Sequence, residues 1–271
     1  MKNKISSGHK KYNLLLLQNK VCVVVGAASR RSIGYAVAEL FAAHGAKLVL
    51  PDLVMNKKTA NEIAASIAAE IGHTTEMIPV KCDIRSTNDC DRAIKMAVAA
   101  FGTVDCLVNC AGIVRSEGML SITGDEYNNV LDVNLKGTFN ICKSALKIFT
   151  SKQAGVIVNL ASMAAQRGGG LVGSAHYAAS KGGVISLTRS IAREFGPQGI
   201  RANVICPSMT ETGMLDGNIT PEKFDEVVAS IPLKRAGKPL DIAGACLFLA
   251  SQLSAYVTGA TIDVNGGSHI H

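Results

Sequence analysis

Short apolar segments alternate with longer amphipathic segments along the chain from Lys20 onward. Short apolar runs bounded by glycine or polar residues are typical of strands that are buried on both faces of a sheet. The pattern therefore predicts seven strands, at residues 21–25, 47–50, 77–82, 106–110, 156–160, 202–206 and 261–264.

Between these strands, apolar residues recur at three- and four-residue spacing, which predicts helices. The predicted helices cover residues 32–44, 61–71, 93–101, 134–150, 177–195 and 239–250. Strands that alternate with helices imply a parallel sheet with helices on both faces, and right-handed crossovers make this a single Rossmann-like, doubly wound α/β domain. The long irregular region 208–235 is interpreted as a substrate lid, because nothing in it resembles a linker.

The formal net charge of +7 comes mainly from the start of the chain, where five lysines precede the first acidic residue, Glu39. Removing those lysines leaves +2, so residues 1–16 are interpreted as a flexible basic arm and residues 17–271 as the domain. An arm that binds nucleic acid or membrane is the alternative. The lysines are Lys2, Lys4, Lys10, Lys11 and Lys20.

Two other features bear on the compartment. No apolar run approaches the ~20 residues that cross a bilayer. The eight cysteines are scattered without a Cys-x-x-Cys pair, which favours free thiols in a reducing compartment over a disulfide framework or metal site. We therefore expect a cytoplasmic protein with no metal, nucleic-acid or membrane partner.

The loop after the first strand, residues 26–34, runs from Gly26 into a helix. Its small residues let the backbone approach a pyrophosphate, to which a helix N-terminus offers N–H groups; a plain turn is the alternative. Asp52 follows the second strand, at a position where a carboxylate accepts ribose hydroxyls and repels a 2′-phosphate. This favours NAD over NADP, although Arg30 and Arg31 would suit a phosphate.

The third and fourth strands are also followed by candidate cofactor contacts. Asp83 is placed to hydrogen-bond an adenine amino group, with a helix N-cap as the alternative. Asn109, Ala111 and Gly112 lie in a run of small residues that leaves room for the adenosine ribose.

The strongest candidate chemistry lies after the fifth strand. Tyr177 and Lys181 are spaced i and i+4, so they share one face of the predicted helix. A lysine ammonium near a phenol lowers the pKa of the phenol, which a tyrosine needs in order to exchange a proton with an alcohol at neutral pH. Ser162, just past the fifth strand, is placed to hold the substrate oxygen.

This ordered series resembles the short-chain dehydrogenase/reductase family over about residues 17–267. The resemblance implies that Tyr177 is the general acid/base, that Lys181 lowers its pKa and holds the nicotinamide ribose, and that Ser162 orients the substrate oxygen. It implies that Asn134 anchors a water in a proton relay, unless it is a helix-kink residue that satisfies backbone groups. It also implies a homotetramer.

The resemblance further assigns cofactor binding to a set of residues at the strand ends. They are Gly26, Arg31, Ser32, Ile33, Asp52, Asp83, Ile84, Asn109, Ala111, Gly112, Tyr177, Lys181, Pro207, Thr210 and Thr212. The glycine loop departs from the common form by two extra residues and by Ser32 in place of the middle glycine. A longer loop is similar to that of enoyl-thioester reductases, but those space their Tyr and Lys more widely.

The interpretation that follows is an NAD-dependent oxidoreductase that moves a hydride between nicotinamide and a small secondary alcohol or ketone, such as a polyol, sugar or hydroxy acid. An NADPH-dependent 3-oxoacyl thioester reductase is the alternative, and a non-catalytic dinucleotide-sensing protein is more remote. His176 is expected either to contact substrate or to be solvated.

Overall fold

The computed structural model describes residues 15–169 and 172–270. Most of the predicted basic arm, residues 1–14, therefore lies outside the described residues. Leu17 lies in the core: it is 1% exposed, and its N–H donates to the His44 carbonyl at 3.1 Å.

Seven strands form one sheet in the order β3-β2-β1-β4-β5-β6-β7, and every neighbouring pair is parallel. The predicted doubly wound α/β fold is therefore confirmed. The strands are β1 (Val21–Val25), β2 (Lys47–Asp52), β3 (Met77–Lys81), β4 (Cys106–Asn109), β5 (Gly155–Leu160), β6 (Ile200–Pro207) and β7 (Thr261–Val264).

Helices connect the strands and cover both faces of the sheet. They are α1 (Ile33–Ala43), α2 (Lys57–Ile71), α3 (Thr87–Phe101), α4 (Gly124–Leu131), α5 (Gly137–Lys152), α6 (Ala164–Arg167), α7 (Ala175–Phe195), α8 (Pro221–Ser230) and α9 (Pro239–Ala250). Many of their ends carry caps that the sequence signals. The Ser32 and Ser86 hydroxyls accept from the first turns of α1 and α3, and Gly72 and Gly102 end α2 and α3 in the left-handed conformation.

The sheet separates the two largest apolar clusters of the core, and two smaller clusters lie beside them. One large cluster contains α1, α2 and α9, and the other contains α3, α5 and the end of α7. Alternate residues of β1 serve the two sides, with Cys22 and Val24 in the first cluster and Val21, Val23 and Val25 in the second. A strand buried on both faces has no polar position, which is why β1 is an unbroken apolar run.

Three helices were not predicted, namely α4, α6 and α8. Their faces carry few buried residues, none in α8, so apolar periodicity was too weak to reveal them. The region 208–235 therefore contains a helix, which Thr220 caps and Pro221 begins. The predicted helix 134–150 also differs, since residues Asp132–Lys136 form a π-helical turn before α5.

Two further sequence expectations concern the cysteines and membrane-spanning helices. All eight cysteines lie in the described part of the chain and are free thiols, seven of them buried. No helix among residues 15–169 and 172–270 is both long and apolar enough to span a bilayer.

Candidate active site

A cleft of about 400 Å³ opens at the carboxyl ends of β1, β4, β5 and β6, bounded on one side by the lid. Ligands of doubly wound sheets bind at this edge. The cleft brings together ten of the residues singled out from the sequence or beside them: Ile33, Cys110, Gly112, Ser162, Tyr177, Lys181, Pro207, Ser208, Thr210 and Thr212.

Tyr177 lies in the first turn of α7 and is 8% exposed. Burial raises the pKa of its phenol, while a hydrogen bond with Ser162 opposes that rise. The backbone at Gly173 has φ +94° and passes so close to the Tyr177 ring that a Cβ there would collide with it. Glycine at this position therefore allows the ring to reach the cleft.

Lys181 lies one turn after Tyr177 on the same face of α7. Its Nζ donates to the Leu160 carbonyl at 2.9 Å and lies 5.9 Å from the centroid of the Tyr177 ring. Burial lowers the pKa of the ammonium to about 8. The sequence predicted that Lys181 lowers the pKa of Tyr177. In the structure, burial has the largest effect on both groups: it raises the pKa of the Tyr177 phenol and lowers the pKa of the Lys181 ammonium.

Asn134 lies in the π-helical turn and is fully buried. Its Nδ2 donates to the Ile113 carbonyl at 2.9 Å and to Ser180 Oγ at 3.0 Å, and its Oδ1 accepts from the Ile113 N–H at 2.8 Å. Ser180 Oγ in turn donates to the Tyr177 carbonyl at 2.7 Å. The amide thus joins the loop after β4 to α7, as the helix-kink interpretation expects. The water-anchoring role stays a prediction.

Ser180 is a residue that the sequence reasoning missed. Its position three residues after Tyr177 placed it on the same helix face, and that spacing was the available signal. What the spacing did not reveal is the Asn134 partner, which comes from a distant helix.

The glycine loop fits a dinucleotide pyrophosphate. Gly26 has φ +82°, and a Cβ there would lie 2.9 Å from the Ala111 nitrogen; a Cβ at Gly34 would collide with the Gly26 carbonyl. Ser32 Oγ caps α1 by accepting from the Tyr35 N–H at 3.0 Å. The small residues therefore let the loop lie flat against the sheet edge, with the N-terminus of α1 beside the cleft.

Asp52 lies against that loop. Its Oδ2 accepts from the Ala28 N–H at 2.9 Å, and its Oδ1 accepts from the Val54 N–H at 3.0 Å. The carboxylate is half-buried at the end of β2 and keeps free lone pairs, so it fits a ribose diol.

Arg31, which the sequence analysis assigned to cofactor binding, forms an ion pair with a residue of the lid. Its guanidinium pairs with the two oxygens of Asp216 at 2.7 and 2.9 Å, and its carbonyl accepts from the Gly213 N–H at 3.2 Å. The residue therefore joins the extended glycine loop to the lid, and does not pair with Asp52.

The other residues that were predicted to contact the adenosine form hydrogen bonds or ion pairs with nearby residues of the chain. Asp83 forms an ion pair with Arg85 at 2.7 Å, which lowers the pKa of the Asp83 carboxyl. The N-cap of α3 is Ser86, so the N-cap interpretation of Asp83 is wrong. The Asn109 amide donates to Thr138 Oγ1 at 2.8 Å. Ile84 is 5% exposed, and its carbonyl accepts from an amide of α5.

His176 fits neither sequence expectation. The side chain is 1% exposed and is not part of the cleft lining. Neither ring nitrogen has a hydrogen-bond partner among the described residues. The imidazole is therefore buried outside the cleft lining and is not solvated.

Two thiols lie near the catalytic groups. Burial raises the pKa of both Cys110 and Cys206 to about 12. Neutral thiols are poor nucleophiles, so these two cysteines are not expected to react at neutral pH.

Comparisons with known proteins agree with this geometry. A family model described as enoyl-(acyl carrier protein) reductase matches residues 26–269. The uncharacterised short-chain type dehydrogenase/reductase y4mP of Sinorhizobium fredii is 40% identical over 257 residues, which cover 95% of this chain and 100% of that protein. The 3-oxoacyl-(acyl-carrier-protein) reductase FabG of Thermotoga maritima is 37% identical, over 93% of this chain and 98% of FabG. The crystal structure of levodione reductase superposes with a TM-score of 0.86 at 29% identity, over 93% of this chain and 98% of that one.

Proposed function

The chain belongs to the short-chain dehydrogenase/reductase family, and from that premise we propose that it is an NAD-dependent oxidoreductase of small secondary alcohols and ketones. The observation that carries the proposal is that Ser162, Tyr177 and Lys181 face one cleft beside a loop that fits a pyrophosphate. A protein that only sensed a dinucleotide would have no need of these three groups together.

Each group has a separate task. A bound nicotinamide dinucleotide supplies or accepts the hydride. Ser162 Oγ holds the substrate oxygen, since it lines the cleft and shares a hydrogen bond with the Tyr177 phenol. Tyr177 donates its proton to that oxygen in reduction and accepts one in oxidation. Lys181, protonated below a pKa of about 8, favours the phenolate that must form.

The preference for NAD rests on Asp52. A 2′-phosphate placed beside this carboxylate would meet direct like-charge repulsion, while a ribose diol would donate hydrogen bonds to it. Arg31, one of the two cations that would favour a phosphate, pairs with Asp216. We expect NAD(H) to give a kcat/KM at least ~10-fold above NADP(H), equivalent to ~1.4 kcal/mol.

The test is nicotinamide absorbance with both cofactors against secondary alcohols and ketones. Asp52→Asn, which removes the charge and keeps the size, should reduce the preference. A wild-type preference for NADP(H) would overturn the cofactor assignment. Cofactor binding without turnover of any substrate would instead favour a sensing protein.

A second candidate function, an NADPH-dependent 3-oxoacyl thioester reductase, is supported by the similarity to FabG. The same assay distinguishes it if acetoacetyl thioesters are included. Turnover confined to those thioesters, and to NADPH, would select it over the secondary-alcohol dehydrogenase.

We also propose a homotetramer, as the family resemblance implies. Light scattering coupled to gel filtration measures the mass directly, and the mass of one 28.3 kDa chain would contradict the assignment.

A further inference from the structure

The ionisable side chains that line the cleft in the described part of the chain, apart from Tyr177 and the Cys110 thiol, are all basic. Among the described residues that line it, Arg167 and Lys181 are the ionisable cations and no acidic side chain is present. Lys181 is buried, donates to the Leu160 carbonyl and lies beside the Tyr177 ring. Arg167 is exposed at the edge of the cleft, and within the part of the chain that the structure describes its guanidinium makes no ion pair or hydrogen bond.

The fold places Arg167 close to the reaction. Ser162 Oγ accepts from the Ala164 N–H at 3.1 Å, which starts α6 directly after the catalytic serine, and Arg167 ends that helix. The four residues of α6 extend only about 6 Å along its axis. Because both Ser162 and Arg167 line the cleft, one small molecule can contact both.

The rest of the cleft offers little to a polyol. The lid contributes Met209, Met214, Leu215, Val227 and Ile231, which are apolar. Most of the hydroxyls that line the cleft there, Thr212 excepted, donate to a backbone carbonyl and so offer a substrate only acceptor lone pairs; they are those of Ser208, Thr210, Ser230 and Ser268. A substrate with many hydroxyls would leave some of them unpaired on binding.

We propose that the substrate is a short oxo acid and its hydroxy acid, whose carboxylate is bound by Arg167 while Ser162 and Tyr177 hold the reacting oxygen. This inference rests on the proposed function and selects the hydroxy acids within it. A guanidinium matches a carboxylate with two parallel hydrogen bonds, and one free cation balances one negative charge. A field of one sign in a cleft with apolar walls also concentrates an anion there.

The short separation of Ser162 and Arg167 along the chain argues against a carrier-bound thioester as the source of the negative charge. The pantetheine arm separates its thioester from its phosphate by many bonds, a longer distance than one turn of α6. A carboxylate a few methylenes from the ketone is compatible with a serine and an arginine that line one cleft and are separated by the single turn of α6.

The binding experiment uses linear methyl ketones that carry a terminal carboxylate, with two to six methylene groups between, and their neutral methyl esters. Calorimetry on the full chain with saturating NAD⁺, which cannot reduce a ketone, measures binding without turnover. We expect the best acid to bind about 10-fold tighter than its ester. Arg167→Met should remove most of that preference and leave ester binding unchanged. Arg167→Lys should restore part of it, because the charge returns without the two-pronged geometry.

Kinetics with NADH provide the second readout. Arg167→Met should raise the KM of the acid about 10-fold with little change in kcat, as expected for a residue that binds the distal end of the substrate. Arg193→Met is the matched control, because Arg193 is exposed on α7 and does not line the cleft; it should change neither value.

Equal binding of acid and ester by the wild type, or a preference that survives in Arg167→Met, would overturn the inference. So would turnover of a neutral acetoacetyl thioester in preference to every acid, if it is insensitive to Arg167. Failure of the proposed function gives a different result. In that case no ketone is reduced, while carboxylate binding still depends on Arg167.

Discussion

The inner wall of the cleft and the lid that faces it are held by different kinds of contact. On the inner wall, Asn134 and Lys181 are no more than 5% exposed, and each donates to backbone or side-chain atoms at 2.9–3.0 Å. The lid is joined to the glycine loop by the Arg31–Asp216 ion pair, whose side chains are 64% and 60% exposed.

The difference separates two functions. Buried hydrogen bonds are costly to break, so the inner wall keeps the proton-transfer groups in one geometry. Exposed ion pairs contribute little stability and are screened by salt, so this pair restrains the lid only weakly, and we predict that the lid opens and closes on the cofactor and substrate. Changes on the inner wall should therefore affect the chemical step most, and changes in the lid should affect affinity and release.

The largest expected effect is that of Tyr177→Phe, which removes the hydroxyl and keeps the ring. Loss of a proton-transfer group typically lowers the rate ~10²–10⁴-fold, so kcat should fall by that factor while cofactor binding, measured by fluorescence, survives. Tyr35→Phe is the matched control, since its hydroxyl donates to Ser66 Oγ at 2.7 Å away from the cleft. A folded Tyr177→Phe protein that retains more than about a tenth of wild-type turnover would disprove the assignment.

Lys181→Met should lower kcat as much as Tyr177→Phe does. In addition, it should weaken cofactor binding, because the predicted ribose contact is lost. Both variants should therefore lose kcat, but only Lys181→Met should also lose cofactor affinity. If Lys181→Met kept wild-type affinity for NAD in a direct titration, the predicted ribose contact would be wrong.

The same substitution changes how stability depends on pH. Burial lowers the pKa of Lys181 to about 8 from an ordinary value of 10.5, so below pH 8 the folded state bears the cost of a buried charge. As pH rises from 8 to 10.5, the folded state releases its proton before the unfolded state does, and the wild type gains stability. Relative to Lys181→Met, that gain is at most about 3 kcal/mol. Urea unfolding of both proteins from pH 7 to 10 measures it, and parallel curves would contradict the pKa shift.

The smallest expected effect belongs to the lid. Asp216→Asn should change the KM for cofactor and the rate of product release by only about 2- to 5-fold, with no loss of stability, because the Arg31–Asp216 pair is exposed. High salt should reproduce the effect in the wild type and add nothing in the variant. Asp225→Asn, on the exposed side of the same region, is the control. A change of 100-fold or more in kcat would mean that the lid takes part in the chemical step.

The bounds of β1, β7 and α9 agree with the prediction to the residue. For β1, a continuous apolar run between Lys20 and Gly26 explains the agreement, and for α9 Pro239 marks the first residue, whereas β7 is only half-buried. The helices α4, α6 and α8 were missed because short elements with few buried residues leave almost no periodic signal.

The order of motifs along the chain determined which residues would reach the cleft, since the carboxyl ends of parallel strands meet at one edge. That is why Ser162, Tyr177, Lys181 and Pro207 lie together as expected. Only the tertiary structure decided the partners of each polar group, because those contacts join residues far apart in sequence. Asn134 binds Ser180, and Arg31 binds Asp216 across 185 positions. Burial likewise decided the direction of the Tyr177 and Lys181 pKa shifts, since the cost of a buried charge depends on the surrounding packing, which spacing along a helix does not specify.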